Sequence, residues 1–120
     1  MKLLHLIRNV IAIAAVAPLL SAASSTAAEL KPLVVVGISL DRVALEYPIP
    51  SYPRTAQILQ IAGDVQLLVQ VERGEVVGVS VKSGGPMLGD FSSHWVRRHW
   101  KFKSSVTGQY TVPISYRLQS

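Results

Sequence analysis

Three stretches of strict two-residue alternation constrain this chain more than any other feature of its sequence. Val65, Leu67, Val69 and Val71 are separated by Gln66, Leu68, Gln70 and Glu72. Val77, Val79 and Val81 repeat the pattern after a break at Glu72-Arg73-Gly74-Glu75, and Tyr110, Val112, Ile114, Tyr116 and Leu118 repeat it near the end. A period of two places alternate side chains on opposite faces of a strand, so each stretch reads as a strand with one buried face. One wet face is the habit of antiparallel sheets, and the Arg73-Gly74 turn joins the first two stretches as a hairpin. Pro113 cannot donate to a ladder, which predicts that the terminal strand Tyr110–Leu118 lies at a sheet edge with the donors of Thr111, Ser115 and Arg117 unpaired.

Helical signals fall between the strands. Three prolines within Pro48–Pro53 hold the backbone extended, and Pro53 is placed to open a helix running through Gln60 and ending by Gly63. Its expected buried stripe is Ala56 and Leu59, with Ile58. After Ser83-Gly84-Gly85-Pro86, the residues Leu88, Phe91, Trp95 and His99 recur at spacings of three and four, the stripe of a second helix. Leu33–Leu40 is short, apolar and β-branched, the composition of an additional N-terminal strand. The expected fold class is α+β, a small antiparallel sheet of three strands, extended to four if the N-terminal run pairs, packed with two helices.

The chain is 120 residues long and 49% hydrophobic, and that hydrophobicity is unevenly placed. Met1–Ala28 begins with Lys2 and Arg8, continues through the apolar run Val10–Leu20, and closes on small residues ending Thr26-Ala27-Ala28. These are the parts of a secretory signal peptide, with cleavage expected before Glu29. The alternative is an uncleaved inner-membrane anchor, but an eleven-residue run containing Pro18 is short of the roughly 20 residues needed to span a bilayer. The expected organisation is therefore a signal peptide over 1–28, an extended segment over 29–48 and a folded domain over 49–120, located in the periplasm. No cysteine is present, so thiol catalysis, cysteine metal sites and disulfides are all excluded. Removing the leader lowers the formal charge from +5 to +3, too small a surplus to imply a nucleic-acid partner.

Individual residues narrow the chemistry. Asp90 and His94 lie one helical turn apart without a third ligand nearby, so no metal or other cofactor is expected. Neither a nucleophile elbow nor an oriented base is visible, and the chain is not expected to be an enzyme. His99 reads as a hydrogen-bonded histidine at the core edge, and Trp95 and Trp100 as packing residues. Arg97, Arg98 and Lys101, with Lys103, form a basic helix end that suits the helix dipole and would attract anionic surfaces. Tyr52 has two candidate roles, stapling the proline segment to the sheet or bordering a binding groove.

The order of elements and six motifs together resemble the C-terminal domain of the TonB energy-transducer family. The motifs are Ile49-Pro50-Ser51-Tyr52-Pro53, Ile61-Ala62-Gly63-Asp64-Val65, Arg73-Gly74-Glu75-Val76, Val81-Lys82-Ser83-Gly84-Gly85, Val96-Arg97-Arg98-His99-Trp100-Lys101-Phe102 and Val112-Pro113-Ile114-Ser115-Tyr116-Arg117-Leu118. Ile49 stands where the family has Gln, and Lys103-Ser104-Ser105 where it has a proline. The resemblance implies a periplasmic module that binds an extended peptide of an outer-membrane transporter by strand addition, as the family does during energy-coupled uptake. It implies partner-binding roles for Tyr52, Pro53, Tyr110, Thr111, Val112, Ile114, Ser115, Tyr116 and Arg117. The family's anchor and proline-rich spacer have no counterpart in these residues, so the expectation is an unanchored binding module, monomeric or paired as a strand-exchanged homodimer. The alternative expectation is an envelope-associated structural module whose basic helix end contacts anionic lipid or cell-wall polymer.

Overall fold

The structure, a computed structural model, describes residues 30–120; the signal-peptide expectation over 1–28 lies outside them. Pro32–Gln119 form one compact unit. In chain order the elements are β1 (Lys31–Val36), β2 (Ala44–Glu46), α1 (Arg54–Ile58), β3 (Gly63–Glu72), β4 (Glu75–Ser83), α2 (Pro86–His99), β5 (Lys101–Phe102) and β6 (Gly108–Gln119). The fold is α+β, with a four-stranded antiparallel sheet in the order β1-β6-β3-β4 and a separate β2-β5 pair.

The alternation of β3 is realised in full, since Val65, Leu67, Val69 and Val71 are all 0–3% exposed. Each contributes about 1.5–3 kcal/mol of burial, which makes β3 the spine of the core. Val112, Ile114 and Tyr116 of β6 bury on the same face, paired in register with Leu67, Val65 and Gly63. The opposite face carries Gln66, Gln70, Thr111 and Ser115, the polar half of the pattern. In β4 the alternation fails because register breaks between Gln70 and Val71 of the β3–β4 ladder, where Val71 pairs with Val76 and Gln70 with Gly78. That bulge turns Val77 outward and leaves Val76 and Val79 against the core.

Gly74 forms the hairpin tip at φ +86°, conformational space that a side chain rarely enters. The tip is docked: Gly74 N–H donates to Val106 O at 2.9 Å, and Phe102 N–H donates to Gly74 O at 2.9 Å. A Cβ at this position would lie 2.7 Å from Phe102 O and 2.9 Å from Lys103 O. The hairpin turn therefore positions β5, and β5 positions β2 through the pairs Ala44 with Phe102 and Glu46 with Lys101.

Both helices depart from their expected faces. α1 stops at Ile58 because Gln60 takes a left-handed conformation (φ +55°) and closes a Schellman motif, with Ile61 N–H bonded to Ala56 O at 2.8 Å and Gln60 N–H to Gln57 O at 3.2 Å. So short a helix buries one position, Ala56; Ile58 and Leu59 are 71% and 59% exposed, against the expected stripe. α2 turns a different stripe inward: Leu88, Gly89, Ser92 and Val96 are buried, whereas Phe91 and Trp95 are half-buried and His99 is exposed. Gly89 explains the rotation, because its missing side chain lets the helix settle on Val81, whose Cγ1 would stand 3.1 Å from a Cβ there.

The expected edge position of the terminal strand is corrected. β6 lies inside the sheet, with β3 on one flank and β1 on the other. Pro113 is accommodated because its backbone faces the end of β1, where Gly37 N–H donates to Pro113 O at 2.8 Å. The proline's lack of a donor falls where β1 finishes, so it interrupts no continuous ladder. The N-terminal strand is Lys31–Val36, shorter than the Leu33–Leu40 run, because the chain leaves the sheet after Gly37 and drives Leu40 into the core.

Candidate functional site

The β6 residues proposed for partner contact divide between the two faces of the strand, and Tyr52 and Pro53 lie at the entry to α1. Val112, Ile114 and Tyr116 point into the core, and Tyr110 stacks on Phe102 with ring centroids 5.4 Å apart. Thr111 and Arg117 are exposed on the helix-free face, with Ser115 between them half-buried. Arg117 leans diagonally across β3 to Asp64, Nη2 to Oδ1 3.7 Å, in the only ion pair among the described residues. Both side chains are more than half exposed, so the pair contributes little. At this end of the sheet a cleft of about 480 Å³ is lined by Ala62–Asp64 and Tyr116–Gln119.

Tyr52 takes the stapling role. It is 8% exposed, its hydroxyl donates to Ile61 O at 2.5 Å, and its ring meets Tyr116 edge-on at 5.3 Å. Gln57 Nε2 donates to Tyr52 O at 3.0 Å, which ties α1 to the same residue, while Pro53 is half-buried at the helix entry. Tyr116 is buried more deeply, at 1% exposure, with its hydroxyl 2.7 Å from Ser92 Oγ. Ser92 spends its own proton on Leu88 O at 2.7 Å, so Tyr116 is the donor to Ser92. Burial pushes the Tyr116 hydroxyl above its ordinary pKa of 10.0; the Ser92 hydrogen bond opposes that shift and the nearby Tyr52 adds to it. Tyr52 is raised as well, by burial.

Both indole N–H groups converge on one acceptor. Trp95 Nε1 donates to Pro48 O at 2.9 Å and Trp100 Nε1 to the same oxygen at 3.0 Å. A proline carbonyl has two lone pairs and no competing N–H, so one oxygen clamps the proline segment to the end of α2. The packing role expected of both tryptophans is realised, with this polar anchor added. His99 does not reach the core edge. Its ring lies 4.3 Å from that of Trp95 on the outer surface.

Beside this clamp, Arg97, Arg98, Lys101 and Lys103 are exposed, and none of them forms an ion pair with the described residues. Asp90 and His94 meet through the backbone, since His94 Nδ1 donates to Asp90 O at 2.9 Å. No group of three metal-capable side chains occurs among the described residues. None of the described helices is long and apolar enough to cross a membrane.

The sequence reading missed β1 as the neighbour of β6, and it missed Ser92, Gly89 and Pro48. Gly89, Ser92 and Val96 form a run of small residues at helical spacing, the signature of a close helix-to-sheet approach that could have revealed the true inner face of α2. Nothing local marks Pro48 as an acceptor, because its donors lie 47 and 52 residues away. A comparison with known protein families, characterised proteins and solved structures finds no match.

Proposed function

We propose that this chain is an exported, TonB-like binding module of the periplasm, which engages an extended peptide of an outer-membrane transporter by β-strand pairing on the β1–β6 side of its sheet. The motif order and the residues of β6 motivate the family reading. One observation carries the binding reading: the flank of β6 facing away from β3 already holds an extended, apolar segment in β1. A flank that pairs with one such segment has the donors and acceptors to pair with another. Recognition here is protein to protein, with no catalytic step and no cofactor. After cleavage near Ala28 the module is soluble in the periplasm, whereas retention of the leader would fix it to the inner membrane.

Titration of the mature, isotope-labelled chain with a transporter-derived peptide tests the reading. Amides of Lys31–Gly37 and Thr111–Leu118 shift in a saturable manner while those of β4 stay in place. Shifts absent from both segments would refute it.

The exposed basic helix end supports a second reading, an envelope module that contacts anionic lipid or cell-wall polymer. It predicts salt-sensitive binding to anionic vesicles that is lost when Arg97, Arg98 and Lys101 are replaced by Gln. Binding that persists in the triple variant rules it out.

A further inference from the structure

We propose that β1 is an exchangeable resident of the β6 flank: the binding edge of this module is β6 itself, and the partner peptide replaces β1 instead of adding outside it. The inference rests on the peptide-binding reading above and specifies where and how the peptide docks.

Backbone geometry separates replacement from addition. Gly37 N–H points at Pro113 O, and successive residues of a strand present their backbone groups to opposite sides. Leu33 and Val35 therefore face β6, and Pro32, Val34 and Val36 face outward. Proline has no donor, so the outer flank of β1 offers a newcomer only the N–H groups of Val34 and Val36. On β6 the residues sharing the side of Pro113 are Gln109, Thr111, Ser115, Arg117 and Gln119, five donors. β6 is also 12 residues long against 6 in β1, so β1 pairs with at most half of that flank. A longer extended segment forms a longer ladder on β6 than β1 does, and a longer ladder than it could form on the outside of β1.

The resident is also weakly held. No side chain from Pro32 to Val36 is buried; Val34 and Val36 rest partly against the core, and Leu33 and Val35 are exposed on the other face. β3, by comparison, sinks four side chains. With the leader removed before Glu29, β1 is tethered only through Gly37. The peptide that fits is at least seven residues long and extended, with apolar, preferably β-branched side chains at every second position to succeed Val34 and Val36. Uncharged residues suit those positions, since the ground they cover adjoins Ile114 and Tyr116 in the core.

Paired proline variants of the full mature chain test the proposal, read by anisotropy of a labelled transporter-derived peptide and, separately, of a synthetic peptide reproducing Leu30–Ile38. Leu33→Pro with Val35→Pro removes two of the donors that hold β1 to β6 and leaves that of Gly37, whereas Val34→Pro with Val36→Pro removes the outward donors together with two side chains that rest against the core and so does not strengthen the hold of β1. Replacement predicts that the first variant binds at least tenfold more tightly than the parent, because affinity is reduced by the fraction of flank that is closed. It predicts that the second binds no more weakly than the parent. Weaker binding by the second variant overturns it, because only addition outside β1 uses those donors. Equal binding of the transporter peptide by the parent and the first variant also overturns it, and leaves the peptide-binding reading standing. Tightened binding of the Leu30–Ile38 peptide alone, with no response to transporter peptides, upholds β1 exchange and refutes the transporter as partner.

Discussion

Ser92 and Tyr116 form a buried pair whose two halves are unequal, and the inequality is measurable. Tyr116→Phe removes a donor. Ser92 still donates to Leu88 O and loses only an incoming bond, so the cost is that of one ordinary buried hydrogen bond, about 0.5–1.5 kcal/mol. Ser92→Ala removes the acceptor and strands a phenolic O–H that is 1% exposed, which costs about 1–3 kcal/mol. The better helix propensity of alanine offsets a few tenths of that. The double variant has no stranded group, so it is more stable than Ser92→Ala alone, with a coupling of about 1 kcal/mol. Urea denaturation with slopes held equal reads these differences as midpoint shifts, on the order of 1 M for Ser92→Ala and less for Tyr116→Phe. Tyr116→Phe proving the costlier change, or strictly additive effects in the double variant, would refute the assignment of Tyr116 as donor and of the pair as closed to water.

Gly74→Ala forces a side chain into φ +86° and against two carbonyl oxygens, and should cost about 2–4 kcal/mol by denaturation, while Arg73→Gly at φ +48° stays within about 1 kcal/mol of the parent. Stability falls above about pH 10, because the unfolded tyrosines ionise first while burial keeps Tyr116 and Tyr52 protonated in the fold. Tyr116→Phe makes that alkaline fall shallower in pH-dependent denaturation. Replacing Ile58 and Leu59 together by Gln changes the melting temperature by no more than a few degrees, since neither belongs to the core.

Legibility in the sequence followed the range of the interactions. The β3 alternation, the Arg73-Gly74 turn and the existence of both helices are local patterns, and each was readable from side-chain period and turn chemistry. What failed depended on remote partners. The α2 stripe was read from its largest apolar residues, but the close approach of Gly89 to Val81 selected the small-residue face and left Trp95 half outside, bonded to Pro48. Ile58 and Leu59 were assigned to a stripe that vanished once Gln60 closed the helix after five residues. Pro113 was a sound marker of an interrupted flank. The interruption proved to be the end of β1, a segment some eighty residues away, so β6 was moved from the edge to the interior of the sheet. At the site, the backbone side of Thr111, Ser115 and Arg117 was legible from parity with Pro113, and its occupant was not.

Amide hydrogen exchange on the mature chain, with and without a saturating transporter-derived peptide, separates replacement of β1 from addition outside it. In the free chain Leu33 and Val35 are protected by β6, and Ser115 and Arg117 by β1. Replacement predicts that peptide binding abolishes protection at Leu33 and Val35 while Thr111, Ser115 and Arg117 are protected at least as well as before. Protection retained at Leu33 and Val35 and newly gained at Val34 and Val36 would contradict it, because the peptide would then lie outside β1.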